Sequence, residues 1–234
     1  TAGNTGIGIA FAAIGRGYKV IFVVPDKFSG EKVALLSALG AEIVRTPRSG
    51  GMLLAESRAE ELARSIPNSV ILGQFRNPAN PRSHYETTGP EIFDDLKGKV
   101  DVFIAGAGSG GTFSGVARYL KEKNPYVRAI LADPIGSTMG GGPHGDYNIE
   151  GIGNDFIAET MDMSLVDEVI KVSDDEAFSA CKELAKREGV IAGSSSGAAF
   201  VAAQKAIKKG IRGNIVVLFP DRGDRYFSKG LFTV

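Results

Sequence analysis

Short apolar runs rich in β-branched residues alternate with helix-length segments along the whole chain, and many of the joints between them carry glycine. Residues 19–24 (KVIFVV), 42–45, 100–105 (VDVFIA), 129–132, 190–192 and 215–219 (IVVLF) read as strands. Unbroken apolar runs of this kind suit strands covered on both faces, as in parallel sheets. Helical patterns fall between them: 7–14, 31–39 closed by Gly40, 53–65 with Leu54, Leu62 and Ile66 at helical spacing, 112–123 and 197–208. Ser173 followed by Glu176 is a capping box and predicts a helix running to residue 188. The alternation predicts an α/β fold with mostly parallel sheets. Residues 133–164 are irregular and Gly-rich, and no linker, repeat or low-complexity tract divides the chain. Any division is therefore a contact boundary. The two prolines of residues 74–81 (QFRNPANP) place it there, giving parts 1–76 and 77–234.

The charge balance narrows the function. Lys plus Arg is 27 and Asp plus Glu is 27. Nucleic-acid and anionic-membrane surfaces need a basic excess, so neither partner is expected. No apolar run approaches the length of a membrane span. Cys181 is the single cysteine, and His84 and His144 are the only histidines. An intramolecular disulfide is excluded, no metal site is expected, and the reducing cytoplasm is the expected compartment. Glycine is the outlier: 31 of 234 residues, against roughly 7% in an average protein. The chain opens at Thr1, without a Met and directly into a glycine turn, so further residues are expected upstream.

The glycines gather in loops that open helices. Residues 106–112 (GAGSGGT) stand between a strand and a helix, where inward-turned amides, the positive helix end and the hydroxyls of Ser109 and Thr112 suit a phosphate. No Lys-Ser/Thr pair follows, so it is not a P-loop. A tight turn that binds nothing is the alternative. Residues 1–6 (TAGNTG) form a second such loop, suited to a carboxylate, and residues 193–197 (GSSSG) a third; taken alone, each reads as a helix cap before it reads as a site. No Ser/His/Asp constellation supports hydrolysis. His84 reads as a capping or surface residue and His144 as part of a Gly/Pro loop. Gln74 and Asn77 say nothing by themselves.

Taken in order, TAGNTGIG (1–8), QFRNPANP (74–81), GAGSGGT (106–112), EGIGNDFI (150–157), GSSSG (193–197) and FPDRGDRY (219–226) resemble the cysteine synthase and cystathionine β-synthase family. These are pyridoxal-phosphate enzymes of fold type II, related to the tryptophan synthase β chain. The resemblance implies two three-layer αβα parts: a smaller, mobile substrate-loop domain (1–76) and a larger domain (77–234) that binds the cofactor phosphate. It implies that Thr1, Gly3, Asn4 and Thr5 hold the substrate α-carboxylate, with Gln74 reaching the same group and Asn4 also meeting the cofactor 3′-oxygen. Gly108, Ser109, Gly110, Gly111 and Thr112 would bind the phosphate, and Gly151 and Gly153 would line the substrate side of the ring. The implied chemistry is loss of the α-proton, elimination of the β-substituent to an aminoacrylate, and addition of a thiol, sulfide or water. A cytoplasmic homodimer acting on a small amino acid is implied as well.

The sequence departs from the family pattern in two places. The family's Schiff-base lysine lies in a Ser-x-Lys-Asp-Arg segment upstream of TAGNTG, and no such segment is present. The expectation is that the N-terminal part is missing, and no lysine here is assigned that role. The family also places a Ser or Thr opposite the pyridine nitrogen after the last strand. Aligned on Pro220-Asp221, that position is Arg222, which can only donate; Asp221 could instead pair with a protonated nitrogen. Asp155 in GIGNDF resembles the acidic residue of the cystathionine β-synthase pattern. A carboxyl group near the β-carbon could protonate a leaving hydroxyl or activate water, and a plain surface Asp is the alternative. Three reactions stay open: O-acetylserine with sulfide, a serine-type donor with homocysteine, and desulfhydration of cysteine to serine and hydrogen sulfide. A non-catalytic binding protein built on the same loops is a further alternative. A nicotinamide dehydrogenase with Asp133 as its ribose ligand fits the spacing but not the other motifs.

Overall fold

The computed structural model describes residues 3–26 and 30–232. The chain divides into two compact units. The first runs to Gly73 and takes back the segment beginning at Arg225; the second is Gln74–Asp224. All strand pairings are parallel. Among the described residues no helix is long and apolar enough to cross a membrane.

In the first unit, β1 (Ile21–Pro25) pairs with β2 (Glu42–Thr46), Ile21 opposite Glu42. Successive strand side chains point to opposite faces. Phe22 and Val24 accordingly share one core with Ile7 and Ala10 of α1 (Asn4–Ala13) and Leu36 of α2 (Gly30–Ala38). The helix α3 (Gly51–Ser65) also packs against β1.

The second unit is a three-layer sandwich. Its sheet runs β5 (Glu168–Val172), β4 (Arg128–Pro134), β3 (Val102–Gly106), β6 (Ile215–Val217). Alternation splits the core cleanly. Val102, Ile104, Ile130 and Ala132 face α7 (Asp174–Glu188) and α8 (Ser194–Lys208). Phe103, Ala105, Ala129 and Leu131 face the apolar side of α6 (Gly111–Lys123), formed by Phe113, Val116, Ala117 and Leu120. The helices α4 (Ala79–Glu86) and α5 (Thr88–Asp95) pack on α6.

Several expectations need correction. Residues 190–192 form no strand; one antiparallel bridge, Ala192 to Arg222, is all that pairs there. Ile191 is 53% exposed, so this apolar run is not a covered strand. Residues 215–219 were expected to be a buried strand, but β6 is a three-residue edge strand, only partly buried. The alternating EVIKV of β5 and the helices α4 and α5 were not anticipated. The prolines of residues 74–81 do not bar a helix from starting there. Pro78 precedes α4 and Pro81 sits in its first turn, where amides have no intrahelical acceptor to lose. The predicted capping box is present: the Glu176 amide donates to Ser173 Oγ at 3.3 Å and the Ser173 amide to Glu176 Oε2 at 2.9 Å.

The helices α7 and α8 approach closely through small residues. A Cβ at Gly197 would lie 2.2 Å from the Ala177 carbonyl oxygen and 2.6 Å from Cys181 Sγ. Gly197→Ala should therefore destabilise the fold. The helix-propensity gain is about 1 kcal/mol, whereas overpacking against backbone costs about 1–3 kcal/mol or more. Denaturant unfolding should show a lower midpoint; a raised midpoint would show that the helices can part freely.

Candidate active site

In the second unit, β3 lies between β4 and β6, so the chain leaves β3 toward one side and returns later to the other. Ligands of such sheets bind in the crevice beyond the carboxyl ends of the strands at this reversal. Two segments reach that edge. One is the glycine loop between β3 and α6, and the other is the Pro220-Asp221-Arg222 turn that follows β6.

The loop holds its shape because neighbouring backbone and side chains occupy the space that its own side chains would need. A Cβ at Gly108 would meet the Gly151 oxygen at 2.5 Å, and one at Gly111 would meet Asn80 Oδ1 at 1.9 Å. Gly110 has φ +80°, in the left-handed region that glycine enters at no steric cost, and a Cβ there would strike Met161. The segment after residue 150 wraps the loop. The Gly153 amide donates to the Ala107 oxygen at 2.8 Å, Asn154 Nδ2 to the Gly108 oxygen at 2.6 Å, and Thr160 Oγ1 to the Ser109 oxygen at 2.6 Å.

The first amide of α6, on Gly111, reaches Ser109 Oγ only at 3.5 Å, and the N-cap residue, Gly110, offers no side-chain hydrogen bond. Among the described residues the N-cap residues of α1, Gly3, and of α8, Gly193, offer none either. The contrast is α7, whose start carries a capping box of its own side chains. The first-turn amides of α6 lack intrahelical acceptors and lie at the positive end of the helix dipole, which favours an anion.

The loop hydroxyls are positioned from α4. Asn80 Nδ2 donates to Ser109 Oγ at 2.9 Å and to the Gln74 carbonyl oxygen at 2.8 Å. His84 Nε2 is 3.0 Å from Thr112 Oγ1, and its Nδ1 is 2.9 Å from Thr88 Oγ1. The expectation for His84 is thus corrected: it is a part-buried link between α4 and the glycine loop. Neither Asn80 nor His84 was anticipated as a support. Their partners lie 29 and 28 residues away, and the visible signal was only the N-P-A-N-P run.

The other expected residues fall as follows. Gln74 is joined to the loop through Asn80, and its Oε1 is buried without a hydrogen-bond partner. Asn77 Oδ1 accepts from the Ala79 amide and starts α4. Gly151 packs on Gly108, and Ile152 packs over Gly106. Asp155 is exposed, with Oδ1 2.9 Å from Nδ1 of His144, also exposed. The Arg222 guanidinium is turned to solvent and paired with Asp224 at 2.7 Å. Oδ1 of Asp221 is buried, and its backbone oxygen accepts from the Gly193 amide at 3.2 Å. Ser194 Oγ accepts from the Glu150 amide at 3.0 Å, so the third glycine loop supports the 150–154 segment. In the first unit, Gly3, Asn4 and Thr5 form the start of α1. Thr1 lies outside the described residues. Asp133 is fully buried, its Oδ2 accepting from Lys171 Nζ at 2.5 Å and from the Gly140 amide at 3.0 Å. An ion pair of this kind pins the loop after β4 and does not suit a ribose ligand.

Comparison with known proteins identifies the class. Residues 1–221 match the family described as pyridoxal-phosphate dependent enzymes, and the chain belongs to that family. It is 49% identical over 233 residues to an O-acetylserine dependent cystathionine beta-synthase of Bacillus subtilis, covering 99% of this chain and 76% of the relative. Among solved structures, an O-acetylserine dependent cystathionine beta-synthase from Helicobacter pylori superposes with a TM-score of 0.95 at 48% identity, covering 99% of this chain and 76% of that one. A hydrogen sulfide-producing enzyme from Fusobacterium nucleatum superposes with a TM-score of 0.93 at 41% identity, covering 97% and 77%. The fold is that of the cysteine synthase-like type II enzymes, and the protein is an enzyme whose cofactor is pyridoxal phosphate.

Burial lowers the pKa of His84 below its ordinary value of 6.5. Between the two values the unfolded chain binds more protons there than the folded one. Stability from a neutral His84 is therefore full above about pH 6.5 and is lost as pH falls through that value toward the lowered one. His84→Gln should lower the thermal midpoint at about pH 8, by the equivalent of roughly 1 kcal/mol per lost hydrogen bond. The gap between variant and parent should narrow as the pH falls below 6.5. A gap constant with pH would show that the imidazole is not held neutral.

Proposed function

We propose that the protein catalyses β-replacement or β-elimination on a serine-type amino acid. The donors are O-acetylserine, serine or cysteine, and the second reactant is a thiol, sulfide or water. The observation that carries this reading is the uncapped start of α6 at the sheet reversal, with both loop hydroxyls held in place by α4. The activities of the relatives, O-acetylserine dependent cystathionine synthesis and production of hydrogen sulfide, support it.

When bound, pyridoxal phosphate supplies the electron sink for loss of the α-proton and departure of the β-substituent. The residues present fit that group. The amides of residues 108–112 with the hydroxyls of Ser109 and Thr112 would hold its phosphate. An added Cβ at Gly108, Gly110 or Gly111 would clash with a neighbour, so the loop backbone is open to close approach only as glycine. Asp221, with its buried carboxylate oxygen, is the residue for the pyridine nitrogen; Arg222 is committed to Asp224. Gly151 and Gly153 leave room beside the ring for substrate. Gly3, Asn4 and Thr5, with Gln74, would bind the α-carboxylate, and Thr1 belongs to the same motif. A homodimer in the cytoplasm is part of this reading.

Asp155, held by His144, would move the proton at the β-substituent. A leaving hydroxyl needs that proton, whereas acetate leaves unaided. General acid–base help of this kind is worth about 10²–10⁴-fold.

The first test concerns the phosphate site. Gly110→Val forces a branched residue into a left-handed position against Met161. Cofactor affinity should fall at least about tenfold, a loss comparable to one hydrogen bond to a charged group. Unchanged occupancy, read by cofactor absorbance, would overturn this placement. The second concerns Asp155. In single-turnover elimination, Asp155→Asn should slow reaction with serine by about 10²-fold or more and leave O-acetylserine little changed. Equal losses for both donors would reduce Asp155 to a loop residue and favour ordinary cysteine synthesis.

A further inference from the structure

The segment that returns to the first unit is tied down by three side-chain contacts. Lys32 Nζ of α2 donates to the Tyr226 hydroxyl at 2.8 Å, and both residues are buried. The Glu31 carboxylate accepts from the Ser228 amide at 2.6 Å and from its hydroxyl at 2.5 Å. Ser228 holds the Glu31 carboxyl below the usual carboxylate range, so the tie persists across neutral pH. These two contacts anchor the segment on α2. The third ends elsewhere: Arg225 Nη1 donates to Asn4 Oδ1 at 2.8 Å, at the first position of α1.

A guanidinium has donors only, so an amide beside it must turn its oxygen toward it. The two polar ends of an amide diverge from one carbon. With Oδ1 on Arg225, Nδ2 points to the other side. An anionic oxygen needs a donor; a carbonyl oxygen in that place would repel it.

We propose that Arg225 is a positioning residue that fixes the orientation of the Asn4 amide, so that the start of α1 offers an N–H rather than a carbonyl to an anionic oxygen. The inference rests on the reading of residues 3–5 as the ligand loop. The anionic oxygen is either the substrate α-carboxylate or the 3′-oxygen of the cofactor. The two sources separate experimentally, because only the first depends on added amino acid.

The test uses the holoenzyme and L-alanine, which has the α-carboxylate and no β-leaving group. Alanine affinity is read by the change in cofactor absorbance, and the alanine-free spectrum reports on the 3′-oxygen. Arg225→Lys keeps a donor-only group and should bind alanine nearly as the parent does. Arg225→Met removes the orienting preference; two equally populated flips weaken binding about twofold. Arg225→Glu offers acceptors and should turn the amide over, weakening alanine binding about tenfold or more, or shifting the alanine-free spectrum if the partner is the 3′-oxygen. Asn4→Asp keeps the contact with Arg225 but removes the donor, and should match Arg225→Glu. The order lysine, methionine, glutamate, with thermal midpoints that do not follow it, supports the proposal. Losses that simply track thermal midpoint, or equal alanine affinity in the methionine and glutamate variants with identical alanine-free spectra, overturn it. Should the glutamate variant misfold, lysine must still bind about twofold tighter than methionine. If Asn4→Asp and Asn4→Ala both leave alanine binding and the spectrum unchanged, the ligand-loop reading itself fails. If they weaken binding while Arg225→Glu does not, only the role of Arg225 fails.

Discussion

Backbone packed directly against backbone at the carboxyl end of β3 sets the terms for the second unit. Where Gly108 meets the Gly151 oxygen, no side chain can stand between the two segments. That contact fixes the 150–154 segment relative to the strand, and further hydrogen bonds from Gly153, Asn154 and Thr160 lock it. A loop secured from outside by its neighbours need not use its own side chains for support. Its amides and hydroxyls are then available on the inner side, at the place where the strand order reverses. The same packing makes the site intolerant of change. A single added methyl group acts on backbone, which cannot rotate aside as a long side chain can.

Much of this was legible in the sequence because close approach dictates residue type. Gly108, Gly110 and Gly111 are required where they stand, and a glycine cluster between a covered strand and a helix exposes that requirement. The covered strands β1, β3 and β4 were legible for a similar reason: both faces are buried, so the run is apolar throughout. The misses share a different physics. At the sheet edge β5 alternates polar and apolar residues, and β6 is short and half-covered, so neither carries a strong signal. Pro78 and Pro81 looked like breaks because proline ends a helix interior, yet a first turn accepts it. Asn80 and His84 matter through partners far along the chain, and no local pattern encodes such a contact.

Capping divides the helices by purpose. Ser173 and Glu176 cap the start of α7 reciprocally. In α6 the cap is a glycine, Ser109 Oγ reaches the first amide only at 3.5 Å, and the two hydroxyls nearby are also engaged by Asn80 and His84. Withholding a side-chain cap costs about 1 kcal/mol of helix stability. The apolar face of α6, with Phe113, Val116, Ala117 and Leu120 fully buried, offsets that cost through packing.

The same logic reaches the first unit by another route. Among the described residues the start of α1 also lacks a side-chain cap, and the last stretch of the chain reaches it through Arg225. Support through backbone is rigid, because hydrogen bonds to carbonyls leave little freedom. Support through a guanidinium on a side-chain amide fixes an orientation. A phosphate that stays bound through every turnover suits the first arrangement. A carboxylate that must enter and leave suits the second, since loops that gate ligands are drawn from the less stable parts of a fold. Under the proposed function, the difference in how the two helix starts are held would match the difference in how long each anion has to stay.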